Sequence, residues 1–251
     1  MADALPGVGV PRSPDQPSYR SLDPERIIAT AERLRTRIVE RFPDSSLRGV
    51  ANELVALSRD LAVEAEKLKA PIWWLRILVG VAILAGAAMF LFVGTVLPFD
   101  RISGNDNVVE SVQGIEASLN TIILASLGFL TLIRAEERIK RKQVFTQLHG
   151  LRSLIHVIDM HQLTKDPAAL SPSFKKTEHS PQRMTDADDL ARYLDYCSEM
   201  LSITGKLAAL FAQAVNDEVV IEAVNDIEEL ASNLSRKIWQ KITLIIPAKA
   251  R

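Results

Sequence analysis

The chain has one cysteine in 251 residues, Cys197, so it holds no intrachain disulfide and no zinc centre built on cysteine thiolates. That fits a reducing compartment. Neither sign of charge is in excess: 30 Lys and Arg stand against 31 Asp and Glu, for a formal net charge of -1. Nothing therefore argues for a broad basic surface for nucleic acid, and no nucleic-acid partner is expected. Catalytic signatures are also missing. The 11 glycines are scattered and build no phosphate-cradling loop, and there is no HExxH, GxSxG or EF-hand pattern. Neither an enzyme nor a cofactor is expected. The opening MADALPGVGVPRSPDQPSYRS has no basic start followed by an apolar core, so it does not read as a signal peptide. Residues 1–22 read instead as a disordered tail, with room for a short docking motif.

What the chain does have is a long apolar run, WWLRILVGVAILAGAAMFLFVGTVL, from Trp73 to Leu97. Its 25 residues reach about 37 Å as a helix, enough for a hydrocarbon core of roughly 30 Å with some tilt. Arg76 is its only charge and lies in the first turn, where its guanidinium can reach headgroups. Trp73 and Trp74 suit the same interface. A shorter segment, IEASLNTIILASLGFLTLI, from Ile115 to Ile133, is the second candidate span. The linker between them is short and rich in Gly, Asn and Asp, as a hairpin requires. Orientation follows from Lys and Arg. The approach to the first span carries Arg59, Lys67, Lys69 and Arg76; the linker has only Arg101. The second span is followed by Arg134, Arg138, Lys140, Arg141 and Lys142, a cluster drawn to anionic headgroups of the inner face. The expected division is a transmembrane helix at 71–98, an external loop at 99–114 and a second transmembrane helix at 115–133, with both termini cytoplasmic.

Most of the remainder reads as amphipathic helix. Residues 23–70 carry two cytoplasmic helices. Asp23 caps the first, which has Ile27, Ala31, Leu34 and Ile38 on one face. Asp44 or Ser45 can cap the second, which has Leu47, Val50, Leu54, Leu57, Leu61 and Leu68 in a stripe and runs almost directly into the first span. Residues 134–165 continue the second span into the cytoplasm, and 166–185 form a polar loop. Within 186–246, Leu190, Leu194, Cys197, Leu201, Thr204, Ala208, Phe211 and Val215 recur in steps of three and four. Val220, Val224, Ile227, Ala231, Leu234 and Ile238 do the same, with a turn at Asn216-Asp217. That is the spacing of packed helical seams, here in an antiparallel hairpin. A basic tail, 247–251, follows. The expected fold is all-α: a membrane helical hairpin of two transmembrane helices with a cytoplasmic helical bundle.

Three sets of side chains invite a functional reading. His149, Arg152, His156 and Asp159 fall on one side of a helix, where the histidines and the carboxylate are candidates for a metal or for proton transfer, or simply for an ion-paired helix face. On the second span, Glu116, Asn120, Leu124, Leu127, Thr131 and Arg134 share a side that would line a pathway in a ring of subunits, closed by dewetting at the leucines. The simpler reading puts Glu116 and Arg134 at the interfaces and pairs Asn120 with a neighbouring helix. On the first span, Ala82 and Gly86 permit close helix approach.

The layout from Leu47 to Leu163 is a cytosolic helix, a membrane hairpin and a long cytosolic helix. It resembles that of the bacterial SLATT-type two-span effectors, to which pore formation is ascribed. IHVIDMHQLTKDP and YLDYCSEMLS with LSRKIWQKI are similar to segments of uncharacterised bacterial two-span membrane proteins. The resemblance implies a bacterial inner-membrane protein. The expected partners are the lipid bilayer, further copies of the chain in a homo-oligomer, and a cytoplasmic protein. The expected function is a non-catalytic anchor or signalling scaffold. The alternatives are an oligomeric pore, and a membrane sensor for a metal or small ligand.

Overall fold

The computed structural model describes residues 21–96, 108–171, 173–175, 177–180 and 184–249. Most of the expected tail, most of the expected external loop and the last two residues lie outside them; Leu22, at the end of that tail, donates its N–H to Gln213 Oε1 at 3.0 Å. The described residues are helical and contain no strand: α1 (Pro24–Arg41), α2 (Leu47–Lys69), α3 (Trp73–Val96), α4 (Val108–Leu163), α5 (Ala187–Ala214) and α6 (Glu218–Lys249), with a short 3-10 turn at Pro167–Leu170.

Local chemistry sets the helix ends. The Asp23 carboxylate accepts from Glu25 N at 3.0 Å, and Pro24 follows at the first helical position, where its missing N–H costs nothing. Pro43 follows the end of α1. The N-cap of α2 is Ser46, without a side-chain cap bond, rather than Asp44 or Ser45; the Ser45 hydroxyl still accepts from Leu47 N at 3.2 Å just before the helix. Pro71 separates α2 from α3. The residue before a proline avoids the helical region, and Ala70 is extended (φ -71, ψ 143), so α2 stops rather than running on into α3. Nothing comparable interrupts α4, which passes through Gly150 and would be about 84 Å long at 1.5 Å per residue. At the other end α6 continues to Lys249, beyond the boundary expected at 246.

The lower part of the molecule is a five-helix bundle with one continuous core. Helix α5 is its centre, packing on α1, α2, α4 and α6. The α5 seam from Leu190 to Val215 is buried, as is the α6 seam from Val220 to Ile238. Leu34, Leu61, Leu151 and Ile155 from the surrounding helices are fully enclosed. Each such side chain contributes roughly 1.5–3 kcal/mol on leaving water. Cys197 is a packed member of this seam, and burial pushes its thiol up to about 12. The buried Ser58 and Thr204 hydroxyls are satisfied within their own helices, Ser58 donating to Leu54 O at 2.6 Å and Thr204 to Met200 O at 2.9 Å, while the Ser198 hydroxyl pairs with that of Ser235 across α5 and α6 at 2.5 Å. Ion pairs Arg37–Glu199 and Arg41–Asp189 join α1 to α5 along the rim.

Two long-range contacts give the direction of the helices. Arg141 on α4 meets Asp217 at the start of α6, and Gln162 near the end of α4 accepts from Lys241 near the end of α6 at 2.6 Å. Helices α4 and α6 therefore run the same way, with α5 returning between them.

Above the bundle the burial pattern reverses. Helices α3 and α4 contact each other, yet beyond the buried Leu75 most of the described apolar side chains of α3 and the first half of α4 are bare. Leu84 is 71% exposed, Ile77 63%, Leu127 61% and Leu119 58%. Among the described residues, one helical stretch, within Leu47–Ala88, is long and apolar enough to cross a membrane, and only 6% of that apolar window is buried. The core helix of a soluble protein would be mostly enclosed. The second expected span is part of α4, where several side chains lie outside those described.

Candidate functional site at the foot of the apolar helices

Where the bare helices join the bundle, two carboxylates gather most of the local polar contacts. Glu136, on α4, is the first. One of its oxygens accepts from Ile72 N at 3.3 Å and from Lys140 Nζ at 3.1 Å; the other lies 3.5 Å from Arg76 Nε. Ile72 is in the break made by Pro71, so its N–H has no helical partner of its own. The break thus supplies a donor that ties the start of α3 to α4. Burial works against ionisation of Glu136. The Lys140 and Ile72 hydrogen bonds and the charges of Lys140 and Arg76 outweigh it and hold the carboxyl below its ordinary range.

Asp217 is the second. Its Oδ1 caps α6, accepting from Val219 N at 3.0 Å and Val220 N at 3.2 Å. Its Oδ2 accepts from Arg141 Nε at 3.0 Å and Nη2 at 2.6 Å. The Asp217 side chain is only 6% exposed. Desolvation again opposes its charge, and the Arg141 hydrogen bond and the two backbone donors again prevail, so it too titrates low. Together the two carboxylates fasten the bare pair of helices to the bundle.

Acid should loosen this fastening. The ordinary values are 4.5 for Glu136 and 3.8 for Asp217, and folding depresses both. Their stabilisation is fully present above the ordinary values and is lost as pH falls through the depressed folded ones. Acid unfolding followed by circular dichroism should therefore steepen below about pH 4.5. The double variant Glu136→Gln, Asp217→Asn should show a flatter acid limb and lower stability at neutral pH; an unchanged limb would contradict this.

Both carboxylates escaped the reading of the sequence. Glu136 stood inside a basic run, and Asp217 in a turn. The one available signal was the N-cap position of Asp217. The structure divides the residues assigned to the interface. Lys140 and Arg76 are engaged with Glu136, and Arg141 with Asp217, whereas Arg138 and Lys142 are exposed, as are Trp73 and Trp74. On the pathway side, Glu116, Asn120, Leu127, Thr131 and Arg134 are all exposed. The Leu124 side chain lies outside those described. Thr131 donates to Leu127 O at 2.8 Å. Ala82 and Gly86 are exposed, and a Cβ on Gly86 would meet nothing within 4 Å.

The histidine face is not assembled into a centre. His149 and His156 are exposed, and the Asp159 carboxylate accepts from Gln162 Nε2 at 2.6 Å. Gln162 in turn binds Lys241, which makes Asp159 part of a polar lock between α4 and α6. Among the described residues no group of three or more His, Cys, Asp or Glu is placed to hold a metal ion. No family model, no curated protein and no solved structure matches the chain.

Proposed function

We propose that the chain is a non-catalytic, two-span protein of a bacterial inner membrane, with both termini in the cytoplasm, acting as a self-associating scaffold. One observation carries this reading: α4 is a single helix whose first half leaves its described apolar side chains exposed while its second half is built into a packed core. Such a helix needs two solvents. Lipid around α3 and the first half of α4 meets that need, and water around the bundle meets the rest. Self-association is supported by Asn120. It lies in an apolar stretch with no hydrogen-bond partner among the described residues, and a second copy of the helix offers one.

A pore is the second reading, favoured by the exposure of Glu116, Asn120, Leu127, Thr131 and Arg134 along one helix. A sensor using His149, His156 and Asp159 draws less support, because the Asp159 carboxylate is already engaged. Mass and symmetry of the detergent-purified particle by electron microscopy separate the first two. The scaffold predicts a small oligomer, not a closed ring, joined through the cytoplasmic helices with Asn120 pairing between copies of α4. A closed ring with the α4 helices innermost, and a conductance in planar bilayers raised by Leu127→Asn, would favour the pore. A strict monomer would contradict both.

A further inference from the structure

We propose that Arg134, Arg138 and Lys142 form a track that binds the phosphate of an anionic phospholipid headgroup; this rests on the membrane reading above. Six basic residues crowd the foot of the apolar helices, and the structure sorts them into two classes. Arg76, Lys140 and Arg141 are spent on Glu136 and Asp217. Arg134, Arg138 and Lys142 are exposed, and their side chains make neither an ion pair nor a hydrogen bond among the described residues. Glu137, also exposed, borders the track without pairing with any of the three. The three recur every fourth residue, so they lie within an arc of about 80° and over a rise of about 12 Å on α4.

Their position names the ligand. Immediately above them α4 exposes Leu127 and Leu130. Trp73 and Trp74, both exposed, begin α3 beside the Ile72 N–H that is tied to Glu136. Indole rings settle at the headgroup level of a bilayer, which puts the three cations among the phosphates. A single-sign row facing outward at that depth is complementary to an anionic leaflet. Arginine adds a planar pair of donors suited to phosphate oxygens.

The test uses the full-length protein in detergent micelles, in a Trp239→Phe background, so that Trp73 and Trp74 are the remaining indoles of the three in the chain. It is titrated with dibromo-acyl phosphatidylglycerol or dibromo-acyl phosphatidylcholine, and tryptophan quenching is read. Three cations at about fivefold each give the anionic lipid an advantage on the order of 100-fold in half-quenching concentration. The variant Arg134→Gln, Arg138→Gln, Lys142→Gln should lose it, whereas Lys140→Gln should keep most of it. Equal quenching by the two lipids, or a triple variant that keeps the preference, would overturn the proposal. So would loss of the preference in inorganic phosphate at about 1 mM at constant ionic strength, which would point to a soluble phosphate ligand. If the triple variant misfolds, salt decides on the wild type: raising it from about 0.05 to 0.5 M should cut the preference at least tenfold, and insensitivity would refute it. Failure of the protein to partition into membranes would refute the membrane reading; partition without headgroup preference would refute this track alone.

Discussion

Leu84→Arg is expected to lower the ratio of inserted to non-inserted chains a few hundredfold. The position is near the middle of α3 and 71% exposed. On the insertion scale a central leucine contributes about -0.6 kcal/mol and a central arginine costs about 2.5–3.5 kcal/mol, a difference of about 3–4 kcal/mol. In water the same change would be harmless, since an exposed leucine there has no contacts to lose. The variant therefore separates two solvents rather than two packings. It should be measured as the insertion ratio of the 73–96 segment in a glycosylation-mapping assay, alongside the thermal unfolding of the bundle. The first should collapse and the second should hold, because Leu84 is remote from the core. An unchanged insertion ratio would contradict lipid as the surroundings of α3.

Asp217→Ala should be the most damaging single change in the bundle's polar contacts. It removes the cap of α6, worth about 1 kcal/mol, and the charge-assisted bonds from Arg141, worth about 1.5–3 kcal/mol. A loss of about 2–4 kcal/mol in denaturant unfolding is expected. Asp217→Asn keeps the capping oxygen and should lose less; Arg141→Gln should lose only the pair. The coupling of Asp217 and Arg141 in a double-mutant cycle should then be about 1–3 kcal/mol. A coupling near zero would mean that Arg141 serves the membrane surface instead of the bundle.

That contrast shows where reading from the sequence succeeds and where it stops. Ile27, Ala31, Leu34 and Ile38 announced their face because a 3.6-residue period repeats one side of a helix, and all four are buried. The α5 and α6 seams were legible for the same reason. A period names a face and is silent on what covers it, so the central place of α5 emerges only in three dimensions. Charge was harder. Arg141 follows an apolar run and therefore looked like a headgroup anchor, but its partner is 76 residues away. Lys140 looked the same and belongs to Glu136. The expected span opens at 71, but a span boundary does not show that the break at Pro71 frees the Ile72 N–H for Glu136. Ala82 and Gly86 leave room for a close helix approach, and both are exposed. On the histidine face, helical spacing brought three side chains to one side, but Gln162 engages the one carboxylate a metal would need.

The central claim is that α3 and α4 both cross the bilayer, returning the chain to the side from which it started. Sided labelling tests it directly: Gly104→Cys, beyond the described residues, and Ser173→Cys, in the exposed segment after α4, are each treated with a membrane-impermeant maleimide in sealed right-side-out vesicles. The native Cys197 stays silent, being enclosed with its thiol pushed up to about 12. Position 104 should label in sealed vesicles and position 173 only after they are opened. If both positions label in the same state, the chain does not cross twice and the hairpin is wrong.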